Sequence, residues 1–340
     1  MIDAHIANRL AETPFVPPPG LKNPHAQTIV STLIPRRTKL LDQNNVARIF
    51  DVAPGVKVLA RCSWQPEPRL RPTVVIVHGM EGSTESPYML STCEKVLASG
   101  FNAVRVNVRN CGGTEAMTPT LYHAGITADL SHIINELSEK DRLKEIYLIG
   151  FSLGGNIVLK LAGEFGKTHP AALAGVAAVS PSIDLHSCIN AIELRSNMLY
   201  HLRFVMSLKT RMRRKAKLFP DRYDESLLHG IWSIRKFDET YTAPLCGFKD
   251  LNDYYQKAGA LPLIKDIAVP TLIVHAKDDP FIPYYPLERP EVTSNSNVVV
   301  IAPDNGGHVG FVSAQAIGED HFWAESKTIE FVRLLSERFP

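Results

Sequence analysis

Between Val46 and Cys62 two short stretches, VARIFDV and VKVLARC, alternate apolar and polar residues on either side of Pro54-Gly55. That pattern predicts an antiparallel hairpin. From Thr73 onward the alternation gives way to continuous apolar runs of strand length, separated by longer stretches of helical period. They run TVVIV, Pro87 to Ser99, FNAVRVNV, Ile126 to Lys140, EIYLI, Leu153 to Glu164 and AGVAAVS. Strands without a polar face must be covered on both sides, and the intervening helices supply the cover, so the repeat predicts an α/β protein with a mostly parallel central sheet.

The rhythm stops after Ser180 and returns at VPTLIV (Val269 to Val274), followed by SNVVVIA and an amphipathic helix from Phe322 to Leu335. The interruption, 185–265, is mostly helical in pattern and carries Trp232, Phe237, Tyr254 and Tyr255. It is expected to form a helical cap over the strand ends, where α/β sheets bind ligands. Pro14, Pro17, Pro18, Pro19, Pro24 and Pro35 crowd the beginning of the chain. Proline removes donors and fixes φ, so 1–45 is expected to be an extended arm. The predicted division is arm 1–45, core 46–184 with 266–340, and cap 185–265.

Composition narrows the functional classes. The 340 residues are 45% hydrophobic and 21% charged, as in an ordinary globular protein. Thirty-seven Lys and Arg face 35 Asp and Glu, a net charge of +2, which gives no global field for a polyanion, so nucleic acid is not an expected partner. Five scattered cysteines (62, 93, 111, 188 and 246) include no CxxC pair, so neither a disulfide framework nor a zinc site is expected. Met1 to Thr13 lack the pattern of a signal peptide, and no apolar run approaches the roughly 18 residues of a membrane span, which predicts a cytoplasmic protein. No Gly-x-Gly-x-x-Gly or Walker loop is present, so no nucleotide cofactor is expected.

The candidate chemistry lies in Ile146-Tyr147-Leu148-Ile149-Gly150-Phe151-Ser152-Leu153-Gly154-Gly155-Asn156, an apolar strand running through Gly-x-Ser-x-Gly into a helix. The motif alone is weak; its strand-to-helix setting is what identifies a nucleophile elbow. The serine of such a turn is strained, and the glycines two residues to either side make room for it. A serine hydroxyl needs a base to take its proton, and the base needs an orienting carboxylate. On this fold the order along the chain is Ser, acid, His. His308, in Asp304-Asn305-Gly306-Gly307-His308-Val309-Gly310, occupies a flexible loop directly after SNVVVIA and is the expected base, whereas His275 and His321 read as structural. The acid is Asp279, before Pro280 and three residues after Ala276, with adjacent Asp278 as the fallback. It matches the acid of a Gly-x-x-Asp-x-x-Val-Pro pattern common in hydrolases. Two backbone amides should hold the oxyanion, Leu153 after the nucleophile and Met80 in His78-Gly79-Met80-Glu81-Gly82, with His78 anchoring that loop.

Other conspicuous residues have plainer explanations. His25 and His123 lack metal-ligand spacing, and Cys111 has no base paired with it. Arg203 to Lys217 holds seven basic residues and no acidic one. It is expected to be a solvated helix face, with peripheral membrane contact through it as the alternative.

These residues resemble the YheT-like (embryogenesis-associated) branch of the α/β-hydrolase superfamily, which includes bacterial hydrolases and eukaryotic membrane-associated lipases. The resemblance runs from about residue 15 to the end. It rests on Asn23-Pro24-His25 with Gln27-Thr28, on His78-Gly79 through Glu81-Gly82-Ser83, Ser86-Pro87-Tyr88, Arg109 with Cys111, Tyr122-His123 and the elbow. Later come Phe237-Asp238, Thr242-Ala243-Pro244-Leu245, Asp253-Tyr254-Tyr255, Asp278-Asp279-Pro280-Phe281 and Gly306-Gly307-His308-Val309-Gly310-Phe311. Asn110 stands where a Gly is expected.

The resemblance implies an α/β-hydrolase fold and a serine esterase or lipase acting on carboxylic esters, with Ser152, Asp279 and His308 at the triad positions and no cofactor. Eukaryotic members carry an N-terminal membrane anchor that this sequence is expected to lack. The expected partner is a small ester, and the apolar and aromatic cap favours an apolar acyl group. The alternatives are an acyltransferase that passes the acyl group to an alcohol, and a non-catalytic ligand-binding member of the fold.

Overall fold

A computed structural model describes residues 4–36, 38–41, 45–317 and 320–337. The first two strands, β1 (Val46–Ala53) and β2 (Val56–Ser63), pair antiparallel around the Pro54-Gly55 turn. They continue into β3 (Thr73–Val77), β4 (Asn102–Val106), β5 (Ile146–Phe151), β6 (Leu173–Val179), β7 (Thr271–Val274) and β8 (Val298–Ile301). The sheet order is β1-β2-β4-β3-β5-β6-β7-β8, and every pairing from β4 to β8 is parallel. This is the α/β-hydrolase architecture.

The continuous apolar runs serve two cores. Val75, Val77, Val104, Val106 and Leu148 face one layer, while Val74, Ile76, Ala103, Tyr147 and Ile149 face the other. Successive strand side chains point to opposite faces, so an unbroken apolar strand is what a sheet buried on both sides requires. Each fully buried Val, Leu or Ile among them contributes about 1.5–3 kcal/mol.

The N-terminal segment is not the extended arm expected. It holds two helices, Ala4–Ala11 and Pro24–Leu33, joined by the proline-rich stretch. Asn23 caps the second by accepting from the His25 and Ala26 amides, and Pro24 occupies the first turn, where no amide donor is lost. The segment is fastened to the C-terminal helix, Trp323–Ser336. Lys327, wholly buried, donates to the Leu10 carbonyl (2.7 Å), Trp323 Nε1 donates to the Thr13 carbonyl (2.8 Å), and Arg36 pairs with Glu325 (2.7 Å). A second departure is an antiparallel hairpin, β9 (Val312–Ile317) and β10 (Asp320–Phe322), ahead of the C-terminal helix, whose expected start at Phe322 lies in strand.

Between β6 and β7 the chain forms helices at Leu185–Ile192, Met198–Leu218, Ile234–Phe237 and Leu251–Ala258. The basic stretch on the longest of them is not simply a solvated face. Lys209, Arg211 and Lys215 are buried, and Lys215 caps the Glu115 and Thr118 carbonyls while Lys209 donates to the Ile231 carbonyl (3.0 Å). Arg214 and Lys217 are exposed.

Candidate active site

Ser152 sits between β5 and the helix Leu153–Phe165 with φ 53° and ψ −116°, a conformation that costs an L-residue energy. The neighbouring glycines are there for space. A Cβ on Gly150 would lie 2.3 Å from the Gly154 carbonyl oxygen, and one on Gly154 would lie 2.3 Å from that of Val77. The turn lifts the serine side chain off the strand end and points the helix N-terminus toward it, where positive partial charge favours an anion.

His308 reaches this serine from the loop after β8. Its Nε2 lies 3.0 Å from Ser152 Oγ and its Nδ1 lies 2.7 Å from Asp279 Oδ2. The other Asp279 oxygen accepts from the Phe281 and Ile282 amides at 3.1 and 2.9 Å. Burial by itself would raise the Asp279 carboxyl. The facing His308, with His275 and the Ile282 amide, instead holds it below its ordinary value, so it stays ionised.

Asp278 turns elsewhere, accepting from the Gly307 amide (2.9 Å) and from Asn305 (3.3 Å), and so braces the histidine loop without touching the imidazole. The loop expected to be flexible is pinned at further points. Thr28 Oγ1 accepts from the His308 amide (2.9 Å), and Ser180 Oγ accepts from that of Val309 (3.2 Å). Gly307 adopts φ 60°, and a Cβ there would meet the Pro24 carbonyl at 2.4 Å. Thr28 carried no signal of this role beyond its place in the Asn23 to Thr28 motif.

Leu153 opens its helix, so its amide is one of the four with no intrahelical acceptor. Gly79 to Gly82 form a tight turn closed by the Gly82 amide to the Gly79 carbonyl (3.0 Å), which leaves the Met80 amide outside the turn's own bond. Glu81, the third residue of the turn, has φ 55°, where glycine is usual. Its buried carboxylate is held by Tyr122 Oη (2.7 Å), Arg211 Nε (2.9 Å) and Ser207 Oγ (3.1 Å). The cap thereby grips the turn. Glu81 lies in the loop expected to supply the Met80 amide, but nothing in the sequence marked its side chain, or Arg211, as holding that turn.

His78, wholly buried, lies 2.7 Å through Nδ1 from the Gly79 carbonyl and accepts from the Val108 amide through Nε2 (3.0 Å). Burial pushes it down to about 4, so it is a neutral anchor. His275 is tied to the Ile282 carbonyl, His321 to that of Ser313 and His25 to Tyr200. Burial raises the Cys111 thiol far from any reactive range. Among the described residues no group of three or more His, Cys, Asp or Glu is placed to hold a metal ion.

Ser152 opens on a cavity walled in part by the helices inserted between β6 and β7. Its lining includes apolar Leu185, Ile189, Ile192, Phe204 and Leu208 together with polar or charged Tyr122, His123, Arg211, Asp238, Thr242 and Tyr255. A serine, an imidazole and a buried carboxylate in hydrogen-bonded sequence beside free amides can perform acyl transfer.

A family model described as the alpha/beta hydrolase fold matches residues 72–206. The chain is 30% identical to YheT of Escherichia coli over 318 residues, covering 92% of this chain and 91% of that protein. It is 27% identical to phospholipase ABHD3 of Mus musculus over 243 residues, which cover 71% of this chain and 59% of the longer mouse protein. The esterase Pf2001 of Pyrococcus furiosus superposes with a TM-score of 0.58 over 88% of this chain and 98% of its own, at 15% identity, a likeness of fold. The chain belongs to the YheT-like branch of the α/β-hydrolase superfamily.

Proposed function

We propose that this protein is a serine hydrolase of carboxylic esters that works through an acyl-enzyme. The observation that carries the reading is the relay Ser152–His308–Asp279, whose serine lines a cavity rich in apolar side chains. Ser152 Oγ attacks the ester carbonyl while His308 Nε2 takes its proton, and Asp279 stabilises the imidazolium that forms. The amides of Met80 and Leu153 hold the oxyanion. His308 returns the proton to the departing alkoxide, which leaves as the alcohol. Water then enters, gives a proton to His308, and attacks the acyl carbonyl to release the acid and restore Ser152.

The cap helix Met198–Leu218 lines the cavity with Phe204 and Leu208, while Leu199, Leu202 and Met206 are exposed, Leu199 at 81%. Arg203, Arg214 and Lys217 lie exposed on the same helix. That combination supports peripheral contact with an anionic lipid surface as the source of substrate. No helix among the described residues is long and apolar enough to cross a membrane.

Hydrolysis of nitrophenyl esters from acetyl to palmitoyl tests the reading. The native protein should turn over at least part of the series, with an optimum set by the apolar lining, and Ser152→Ala should lose about 10³-fold or more in kcat. Equal turnover by Ser152→Ala would refute it.

A further inference from the structure

Among the polar groups of the cavity is a carboxylate that an acyl pocket does not need. Asp238 is 8% exposed and lies in the cavity wall, at the first position of a π-helical turn, Asp238–Thr242. Such turns are rare and concentrate at functional sites. Tyr255 Oη donates to Asp238 Oδ2 at 3.0 Å, and the Thr242 hydroxyl is its other side-chain partner. An ionised carboxylate has about four acceptor positions, so these two donors leave acceptor capacity unused in a residue that lines the cavity.

No cation is hydrogen-bonded to it either. Arg211, which also lines the cavity, bonds Glu81 through Nε (2.9 Å) and keeps an unpartnered Nη1, Arg235 bonds Glu193 (3.0 Å), and both act on Asp238 only through space. Burial pushes the carboxyl up to about 6, which still leaves it mostly ionised at neutral pH. A buried, unpaired carboxylate costs free energy that an apolar side chain at the same place would avoid. The through-space field of the two guanidinium groups disfavours a second cation, so the fitting ligand is a neutral O–H donor.

We propose that Asp238 is a specificity-determining residue that accepts a hydrogen bond from a hydroxyl group carried by the ester substrate. The proposal rests on the serine-esterase reading and deepens it. The structure places Asp238 and Ser152 on one cavity, and the hydroxyl belongs either to the alcohol moiety or to the acyl chain.

The test compares esters of one fatty acid that differ by a single group. The alcohol arm uses ethyl, hydroxyethyl and methoxyethyl octanoate; the acyl arm uses ethyl esters of octanoate and of its beta-hydroxy and omega-hydroxy derivatives. The expected result is a preference of about 10- to 100-fold in kcat/KM for a hydroxylated ester in one arm, with the methoxy ester treated as the unsubstituted one. Asp238→Asn, which keeps an acceptor for Tyr255, should cut that preference to about 3-fold or less. A native enzyme without preference in either arm overturns the proposal even if no variant folds. So does an Asp238→Asn that slows all esters by one common factor, because that marks a residue holding the cap together. Failure to hydrolyse any of the esters would instead refute the esterase reading beneath it.

Discussion

Met80, Asp278 and Asp279 make the sharpest distinctions in this site at the level of single residues. Asp279 faces His308 at 2.7 Å while Asp278 bonds the loop that carries it. Asp279→Asn should therefore lower kcat by about 10³- to 10⁴-fold, and Asp278→Asn by no more than about 10-fold. Steady-state kinetics on a nitrophenyl ester would check this, and the reverse order would exchange their roles. Met80 occupies a turn position that favours proline, so Met80→Pro deletes one amide where the backbone tolerates it. It should cost about 10²- to 10³-fold in kcat, whereas Met80→Leu keeps the amide and should stay near native. The serine and its glycines were legible because the strand-turn-helix signature is contiguous in sequence: the space Gly150 leaves is for Gly154, four residues on, although the space Gly154 leaves is for Val77 on the neighbouring strand. The choice between adjacent Asp278 and Asp279 was less so, since it depends on which one the Phe281 and Ile282 amides turn toward the histidine.

Among the elements, the strands of the core announced themselves, because a strand buried on both faces leaves an unbroken apolar run. The N-terminal helix Pro24–Leu33 did not, although Asn23 and Pro24 form an ordinary helix start. The density of prolines around it outweighed that short signal, and its partners lie far away in sequence, at the histidine loop and at Val312. The helix is part of the site's support. Thr28→Val removes the acceptor of the His308 amide and should lower kcat about 10-fold, with a loss of about 1–2 kcal/mol in stability by urea unfolding. An unchanged kcat would mean that Asp278 and Ser180 hold the loop without it. The helices between β6 and β7 were visible as an interruption of the β/α rhythm, but the inward turn of Arg211 to Glu81 was not, because helical period alone does not mark which basic residues meet a buried acid.

Across the whole molecule, burial makes the fold sensitive to acid. His78 and His123 are each held down to about 4, both chiefly by burial, against 6.5 for an exposed histidine. The unfolded chain therefore takes up these protons first as pH falls. Stability is full above about 6.5 and is lost toward 4, with His78 alone costing about 2 kcal/mol near pH 5. Urea midpoints at neutral pH and near pH 5 should fall accordingly, and a midpoint that holds or rises would contradict the buried neutral histidines. The exposed leucines and cations of the cap helix lead to a second expectation at this scale. Sedimentation with vesicles should be stronger with anionic than with neutral lipid and weaker for Leu199→Asp, by about 10-fold. Equal sedimentation with both lipids would remove the cationic contribution.

Labelling with a fluorophosphonate, followed by peptide mapping and parallel assay of ester hydrolysis, tests the central claim most directly. The relay from Asp279 through His308 predicts one adduct per chain, on Ser152, with hydrolysis lost in proportion to labelling and no adduct on Ser152→Ala. An adduct on another residue, or hydrolysis that persists in fully labelled protein, would contradict the assignment of Ser152 as the nucleophile.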